Sequence, residues 1–314
     1  RAGGARPPQE EVRSFIDQHS ERFGVEPICK LLRVAPSAYW RHAAQQRNPS
    51  LRSARARRDE FLIPHIQRVW QANFQVYGAD KVWRQLQRES IQVARCTVER
   101  LMRSLGLRGV WRGKAVRTTF GDAAAACPLD RVNRQFKADR PNQLWVSDFT
   151  YVPTWAGFVY VAFVIGVFAR RIVGWRVSRS IRTDFVLDAL EQALYARQPW
   201  RDASLIHHSD RGSQYVSVRY TKRLAEAGIE PSVGSKGDSY DNALAETNNG
   251  LYNAELIHRR APWKKVESVE LATLEWVTWF NHQRLLEPLG YIPPAEAENR
   301  YYLQLTAQAE HACT

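Results

Sequence analysis

Three carboxylates in the second half of the chain have types and spacing that can do chemistry: Asp148, Asp210 and Glu246. Asp148 lies within LWVSDFTYV, whose β-branched and aromatic residues read as a strand. The strand period of two puts it on the same face as Leu144 and Val146, where a bare charge is expensive and needs a partner. Asp210 closes SLIHHSD at the carboxyl end of a second strand, the place where open α/β sheets set their sites. Glu246 falls in a helical stretch, 241–258, that Asp241 could cap, and 35 residues separate it from Asp210. Singly, each has an ordinary reading: a hydrogen-bonded core group, a turn residue, a solvated helix position. Together, two strand ends and a helix could converge on hard divalent cations, which favour oxygen ligands. Two such ions about 3.5–4 Å apart clamp the attacking and leaving oxygens of an in-line phosphoryl displacement.

The elements that must position these groups follow from the patterning. Segments 144–152, 158–167 and 172–177 read as strands, then 183–196 as a helix, 204–209 as a strand, 217–227 as a helix and 229–233 as a short strand. Three consecutive strands followed by alternating helices and strands predict an α/β fold, a mixed sheet with helices packed on it. His207, with apolar strand neighbours, reads as a packing residue, although His207 and His208 could also position DNA or ligands. Arg211, Gly212, Ser213, Gln214 and Tyr215 line either a DNA channel or a polar surface loop. The glycine-bearing stretch 231–240, with Lys236, reads as a mobile loop beside the site. Trp276, Trp279 and Phe280 read as packing residues rather than base-stacking platforms.

The 314 residues carry a net charge of +13, and all of the excess is N-terminal. Residues 1–140 hold 27 Lys and Arg against 13 Asp and Glu, whereas residues 141–314 hold 18 against 19. Such asymmetry predicts a basic module for a polyanion joined to a nearly neutral module with another task, the bland alternative being a solvated basic surface. Within the basic half, 10–20, 25–32, 36–42 and 59–73 read as helices, the last despite Pro64. Segments 78–88 and 94–105, joined by Glu89-Ser90-Ile91 and closed by Gly106, have the length and turn of a helix-turn-helix. The second helix carries Arg95, Arg100 and Arg103, with Val98, Leu101, Met102 and Leu105 available for packing. Arg108, Arg112, Lys114 and Arg117 follow it, and 118–140 reads as a linker.

Other classes are excluded. The longest apolar run, 158–169, is far short of the roughly 20 residues needed to cross a bilayer, and the first ten residues lack the apolar core of a secretory signal. Cys29, Cys96, Cys127 and Cys313 form no CxxC pair, which predicts neither a disulfide framework nor structural zinc, and a reducing, cytoplasmic setting. The chain begins at Arg1 without a methionine and is expected to be a fragment or the downstream part of a longer product.

The segments NQLWVSDFTYVPTW, FARRIVGWRVS, HHSDRGSQYVS and GDSYDNALAETNNGLY resemble the catalytic core of bacterial insertion-sequence transposases of the second-reading-frame type. That group is similar to retroviral integrases. The resemblance extends upstream through YGADKVWRQLQRE and ARCTVERLMRSLGLRG. It implies a ribonuclease-H-like core over 141–302, preceded by an all-α region. In that region 1–57 would be an N-terminal helical segment and 58–117 a helix-turn-helix, and 303–314 would form a tail beyond the core. It implies DNA cleavage and strand transfer dependent on two Mg²⁺ ions, with Mn²⁺ able to substitute, and Asp148, Asp210 and Glu246 matching the metal-binding triad. The implied partners are double-stranded DNA of the element ends and target, further copies of the chain, and an upstream helix-turn-helix protein or fusion, in the bacterial nucleoid and with no membrane. Arg95, Arg100, Arg103, Arg108, Arg112, Lys114, Arg211, Lys236 and Asn253 are the candidate DNA contacts. Two positions depart from the family: Gly166 stands where Asp is typical at the end of the second strand, and Asn253 where Lys or Arg usually follows the catalytic Glu by seven residues. Both predict a weakened copy. The rival readings are a ribonuclease-H-like nuclease without strand transfer, and a DNA-binding repressor with a relic core.

Overall fold

A computed structural model describes residues 8–111, 137–199, 204–210, 212–233 and 243–312. Five strands form one sheet: β1 (Leu144–Thr154), β2 (Gly157–Gly166), β3 (Arg171–Ser178), β4 (Ile206–Ser209) and β5 (Glu230–Val233), in the spatial order β3-β2-β1-β4-β5. The first three pair antiparallel as a meander, and β4 and β5 add in parallel on the other side of β1. The two parallel strands are reached by helical crossovers, α7 (Thr183–Arg197) and α8 (Val218–Glu226), as parallel pairing requires. Leu144 to Thr150 of β1 are all buried, so both of its faces are covered.

The two faces differ in kind. Trp145, Phe149, Ala162, Val164 and Val173 point toward α7 and α8 and join Phe185, Leu190, Leu194 and Tyr220 in an apolar core. Helix α7 lies close against β3 at Gly174, where a Cβ would stand 2.1 Å from the Ala189 carbonyl oxygen and 3.0 Å from the Ala193 Cβ. On the opposite face Phe163 stacks edge-on to Tyr252 of α9 (Ala243–Tyr252) and packs against Trp276 of α11 (Val266–His282). Between these helices the chain runs through a π turn, Asn253–Ile257, and the short α10 (His258–Arg260). The sequence reading has one continuous helix here; the π turn instead keeps three successive residues, Glu255, Leu256 and Ile257, buried. Helix α12 (Pro294–Ala312) closes the chain, its Glu298 held by Arg171 of β3 at 2.7 Å and Arg197 of α7 at 2.6 Å. Trp276, Trp279 and Phe280 are buried packing residues, as expected.

Residues 1–65 and 66–314 form two compact units. In the first, α1 (Gln9–Phe23), α2 (Val25–Leu32) and α3 (Pro36–Arg47) enclose Ile16, Ile28 and Cys29, and Tyr39 donates to Asp17 at 2.6 Å. Helix α4 (Ala54–Ala72) starts five residues earlier than its apolar pattern suggests, because Ser53 accepts from the Ala56 amide at 3.2 Å and caps it. Pro64 consequently sits mid-helix, just before the division between the units, where it removes one backbone hydrogen bond. In the second unit, α5 (Ala79–Arg88) and α6 (Arg95–Ser104) pack through Val82, Leu86, Val98, Leu101 and Met102. Gly106, at φ +68°, ends α6 in a Schellman motif: its amide reaches the Arg103 carbonyl at 3.2 Å and Leu107's reaches Met102's at 2.9 Å. These helices are tied to the sheet's own helices. The Trp279 indole donates to Asn73 at 3.0 Å, the Leu285 amide donates to the Tyr77 hydroxyl at 2.8 Å, and Arg88 pairs with Glu296 at 2.5 Å.

Candidate active site

Parallel pairing decides where the first two carboxylates meet. The last β1–β4 pair is Ser147 with Ser209, so Asp148 and Asp210 come next on adjacent strands and share side-chain parity. Asp148 is 5% exposed, on the α9 side of the sheet. One carboxylate oxygen accepts from the Phe149 amide at 2.8 Å, and the other accepts from the Asn249 side-chain amide of α9 at 2.8 Å. Burial holds the Asp148 carboxyl well above the usual carboxylate range; the charges of Asp210 and Glu246 push it the same way, and the two hydrogen bonds oppose them. Glu246 is exposed, one turn before Asn249 on α9.

Helix α9 is seated on β1 by two amides. Asn249 bonds Asp148, and Asn253, four residues on, donates to the Thr150 hydroxyl at 3.1 Å, two residues further along the strand. Helix period and strand period match here, and Glu246, at i−3 from Asn249, is carried to the same end of β1. The half-buried Asn253 thus has a structural partner that its DNA-contact reading did not include. Asn249 itself was missed in the sequence; its signal was an amide one turn after the acid in ETNNG. The Asn249 side-chain oxygen and both polar atoms of the buried Asn248 amide have no hydrogen-bond partner among the described residues.

The loop after β4 serves Asp210 from below. The Gly212 amide donates to Asp210 at 3.0 Å, and a Cβ on Gly212 would come within 3.0 Å of that carboxylate oxygen, tight enough to displace it. Tyr215 is no channel or surface residue: it is 2% exposed, its ring packs against Phe149 and Tyr220, and its buried hydroxyl has no hydrogen-bond partner among the described residues. His207 is a packing residue, as its apolar neighbours suggested. It bonds Ser147 at 2.8 Å and Tyr220 at 3.1 Å, and burial, with His208 adding to it, pushes its pKa down to about 3. The imidazole is a neutral strut of the apolar face. His208 bonds Ser232 of β5 at 3.0 Å.

Oxygen donors dominate this corner, and a buried carboxyl surrounded by two more negative charges is what a hard divalent cation relieves. The donor chemistry fits Mg²⁺, with the unpartnered Asn249 oxygen beside it. Among the described residues no three His, Cys, Asp or Glu side chains stand close enough to form a ready ligand set.

Of the candidate DNA contacts, Arg95 and Arg108 are exposed, Arg103 is exposed and paired with Glu99 at 3.0 Å, and Arg100 is half-buried. Arg112, Lys114, Arg211 and Lys236 lie outside the described residues, as do Asp241 and most of the linker. At Gly166 a Cβ would meet its nearest neighbours at 3.7 Å or more, ordinary contact, so the backbone does not demand glycine there. No helix among the described residues is long and apolar enough to cross a membrane.

Comparison with known proteins agrees with this architecture. Models described as "Integrase core domain" match residues 138–239 and 227–294, and one described as "HTH-like domain" matches 56–115. The chain is 61% identical over 291 residues to the transposase for insertion sequence element IS629 of Shigella sonnei, covering 93% of this chain and 97% of that protein. It is 58% identical to the putative transposase for IS986/IS6110 of Mycobacterium tuberculosis, covering 86% and 97%. Among solved structures, the integrase catalytic core domain of HTLV-2 in complex with magnesium overlaps 52% of this chain and 99% of its own at 15% identity, with a TM-score of 0.40. The sheet described above is thus the ribonuclease-H-like sheet of an integrase core, and the chain belongs to the family of insertion-sequence transposases.

Proposed function

We propose that this chain cuts the ends of an insertion sequence and joins the resulting 3′-hydroxyl to target DNA. Asp148, Asp210 and Glu246 would hold two Mg²⁺ ions, which Mn²⁺ can replace. Such ions activate the attacking oxygen and stabilise the leaving one. The observation that carries the reading is a buried Asp148 whose charged neighbours among the described residues are two further carboxylates, Asp210 and Glu246. The protein's own contribution is positioning. Asn249 and the Phe149 amide fix both oxygens of Asp148, the Gly212 amide fixes Asp210, and no side chain forms a covalent intermediate.

The helix-turn-helix region, 58–117, is read as the grip on duplex DNA, with Arg95 and Arg108 exposed for phosphate contact. Paired element ends imply more than one copy of the chain, and an upstream helix-turn-helix partner fits the family.

The test is a joining assay on labelled element ends. Joining should require Mg²⁺ or Mn²⁺ and fail in Ca²⁺, whose looser coordination misplaces the reacting oxygens. Alanine at Asp148, Asp210 or Glu246 should abolish it while end binding persists; a single alanine variant that still joins sinks the triad. Cleavage without any joined product would identify a nuclease instead.

A further inference from the structure

The far end of β1 from Asp148 carries a cluster of aromatic side chains that the core does not use. Trp155 is 70% exposed, Phe158 57%, and Tyr151 is exposed as well, its ring edge-on to Phe158 at 5.3 Å. Tyr151 and Phe158 touch, Trp155 stands at the turn between their strands, and folded chains rarely leave such large apolar surfaces in water without a use for them.

This tip is rigid. Thr154 accepts from the Ala156 amide at 3.2 Å and donates to the Gly157 carbonyl at 2.7 Å, which closes the turn, and Gly157 takes φ +108°. The Trp155 amide donates to the Trp263 carbonyl at 3.0 Å, anchoring the turn to the segment before α11. Beside Phe158 opens a cleft of about 310 Å³ lined also by Thr154, Tyr160, Arg179 and Val266.

The surrounding charge selects among occupants. The Lys264 ammonium lies 5.1 Å from the centre of the Trp155 ring, the exposed Lys265 follows it, and Arg179 borders the cleft, its partner Glu267 3.5 Å away and both largely in water. Aromatic faces interleaved with cations are the combination that holds single-stranded nucleic acid, the rings stacking bases and the cations taking phosphates. Duplex DNA offers no free base face for such stacking.

We propose that the β1–β2 hairpin tip and the cleft behind it form a site for unpaired nucleotides of the DNA. Bases stack on Trp155 and Phe158, and phosphates meet Lys264, Lys265 and Arg179. The inference rests on the transposase reading. It adds a second contact region on the strand that bears Asp148: Trp155 is seven residues away, about 23 Å along an extended strand, or roughly seven base pairs of duplex. Frayed or displaced strand beyond the reacting phosphate would reach it.

The experiment measures binding of the full chain to a single-stranded oligothymidine and to a blunt duplex of the element end, by fluorescence anisotropy across a salt series. Trp155→Ala should weaken single-strand binding about 5- to 150-fold, Trp155→Phe should restore most of it, and duplex binding should stay unchanged. Lys264→Ala should flatten the single-strand salt slope by about 0.7. Since Trp155 is exposed, far-ultraviolet circular dichroism should match the parent. Equal single-strand affinity of parent and Trp155→Ala overturns the proposal. So does a shift of Trp155→Ala from self-associated to monomeric in sedimentation with single-strand affinity unchanged, which would mark the tip as a contact between copies. If the parent joins no ends yet binds single strands in a Trp155-dependent way, the functional reading fails and the nucleotide site stands.

Discussion

Two buried carboxylates, Asp148 of β1 and Glu255 of the π turn that follows α9, are treated in opposite ways. Glu255, in the π turn, is gripped by Arg284, whose Nε lies 2.9 Å from one carboxylate oxygen and 3.2 Å from the other. The guanidinium is itself packed over Trp279 and Phe280. Asp148 has an amide on each oxygen and, among the described residues, Asp210 and Glu246 rather than a cation as its charged neighbours. A buried charge matched by its opposite is part of the scaffold, whereas one surrounded by its own sign carries a cost that folding alone does not offset.

The widest separation between the two should appear in activity. Asp148→Asn, nearly the same shape, should lower strand joining by roughly 10³-fold or more in the element-end assay, a loss of the scale seen when one charge-stabilising group is removed. Glu255→Gln should leave the joining rate of the folded fraction within about tenfold.

Stability should reverse the order. Glu255→Gln strands a buried guanidinium and should cost about 3–5 kcal/mol in urea denaturation. Asp148→Asn should leave the protein as stable or more so in the absence of divalent ions. A destabilised Asp148→Asn would show that the carboxylate is structural after all.

Acid titration sharpens the contrast further. The folded Asp148 carboxyl sits above its unfolded value of 3.8, so its stabilising contribution is fully present below that pH and is lost as pH rises through the folded value. Asp148→Asn should remove that slope. His207, on the apolar face, runs the other way: its folded pKa of about 3 lies below the unfolded 6.5, so stability is present above pH 6.5 and is lost as pH falls toward 3. His207→Gln should flatten this acid limb of metal-free unfolding curves, and an unchanged limb would show that the imidazole is not the group responsible.

The smallest effect concerns Asn253. Replacing it by Ala removes the bond to Thr150 and should cost about 1 kcal/mol. Asn253→Lys exchanges that bond for a charge. If the lysine reaches a phosphate, end binding should rise and the salt slope steepen by about 0.9, at a similar loss in stability. A variant that loses stability and gains no binding would confine Asn253 to seating α9.

Much of this was written locally. The β1 to β3 meander, the crossover helices and the α5–α6 pair with its Gly106 stop follow from side-chain period and turn chemistry, and their observed limits fall within a few residues of those signals. The three acids were legible from residue type, position on predicted elements and family motifs. Helix α11 is hard to read locally: Val269, Ala272, Thr273, Trp276, Val277 and Phe280 are buried at helical spacing, but the exposed Leu271 and Leu274 put apolar residues on the opposite face and blur the stripe. Tyr215 was misjudged because its polar neighbours in DRGSQY suggested a wet loop, while the path of the chain turned its ring under Asp210 into the core.

By itself, the sequence determined the elements, the separation of a basic region from a neutral one, and the placing of Asp148, Asp210 and Glu246 as candidate carboxylates on two strands and a helix, because these depend on neighbours within a turn or a strand. Only the tertiary structure decided that Asp148 and Asp210 stand one position past the last β1–β4 pair and that Asn249 and Asn253 lock α9 in register with β1. It alone decided that Glu255 finds Arg284 while Asp148, among the described residues, finds two further carboxylates. Whether a buried charge is matched depends on which distant segments pack against it, and partners 29 or 101 residues away leave no trace in local periodicity.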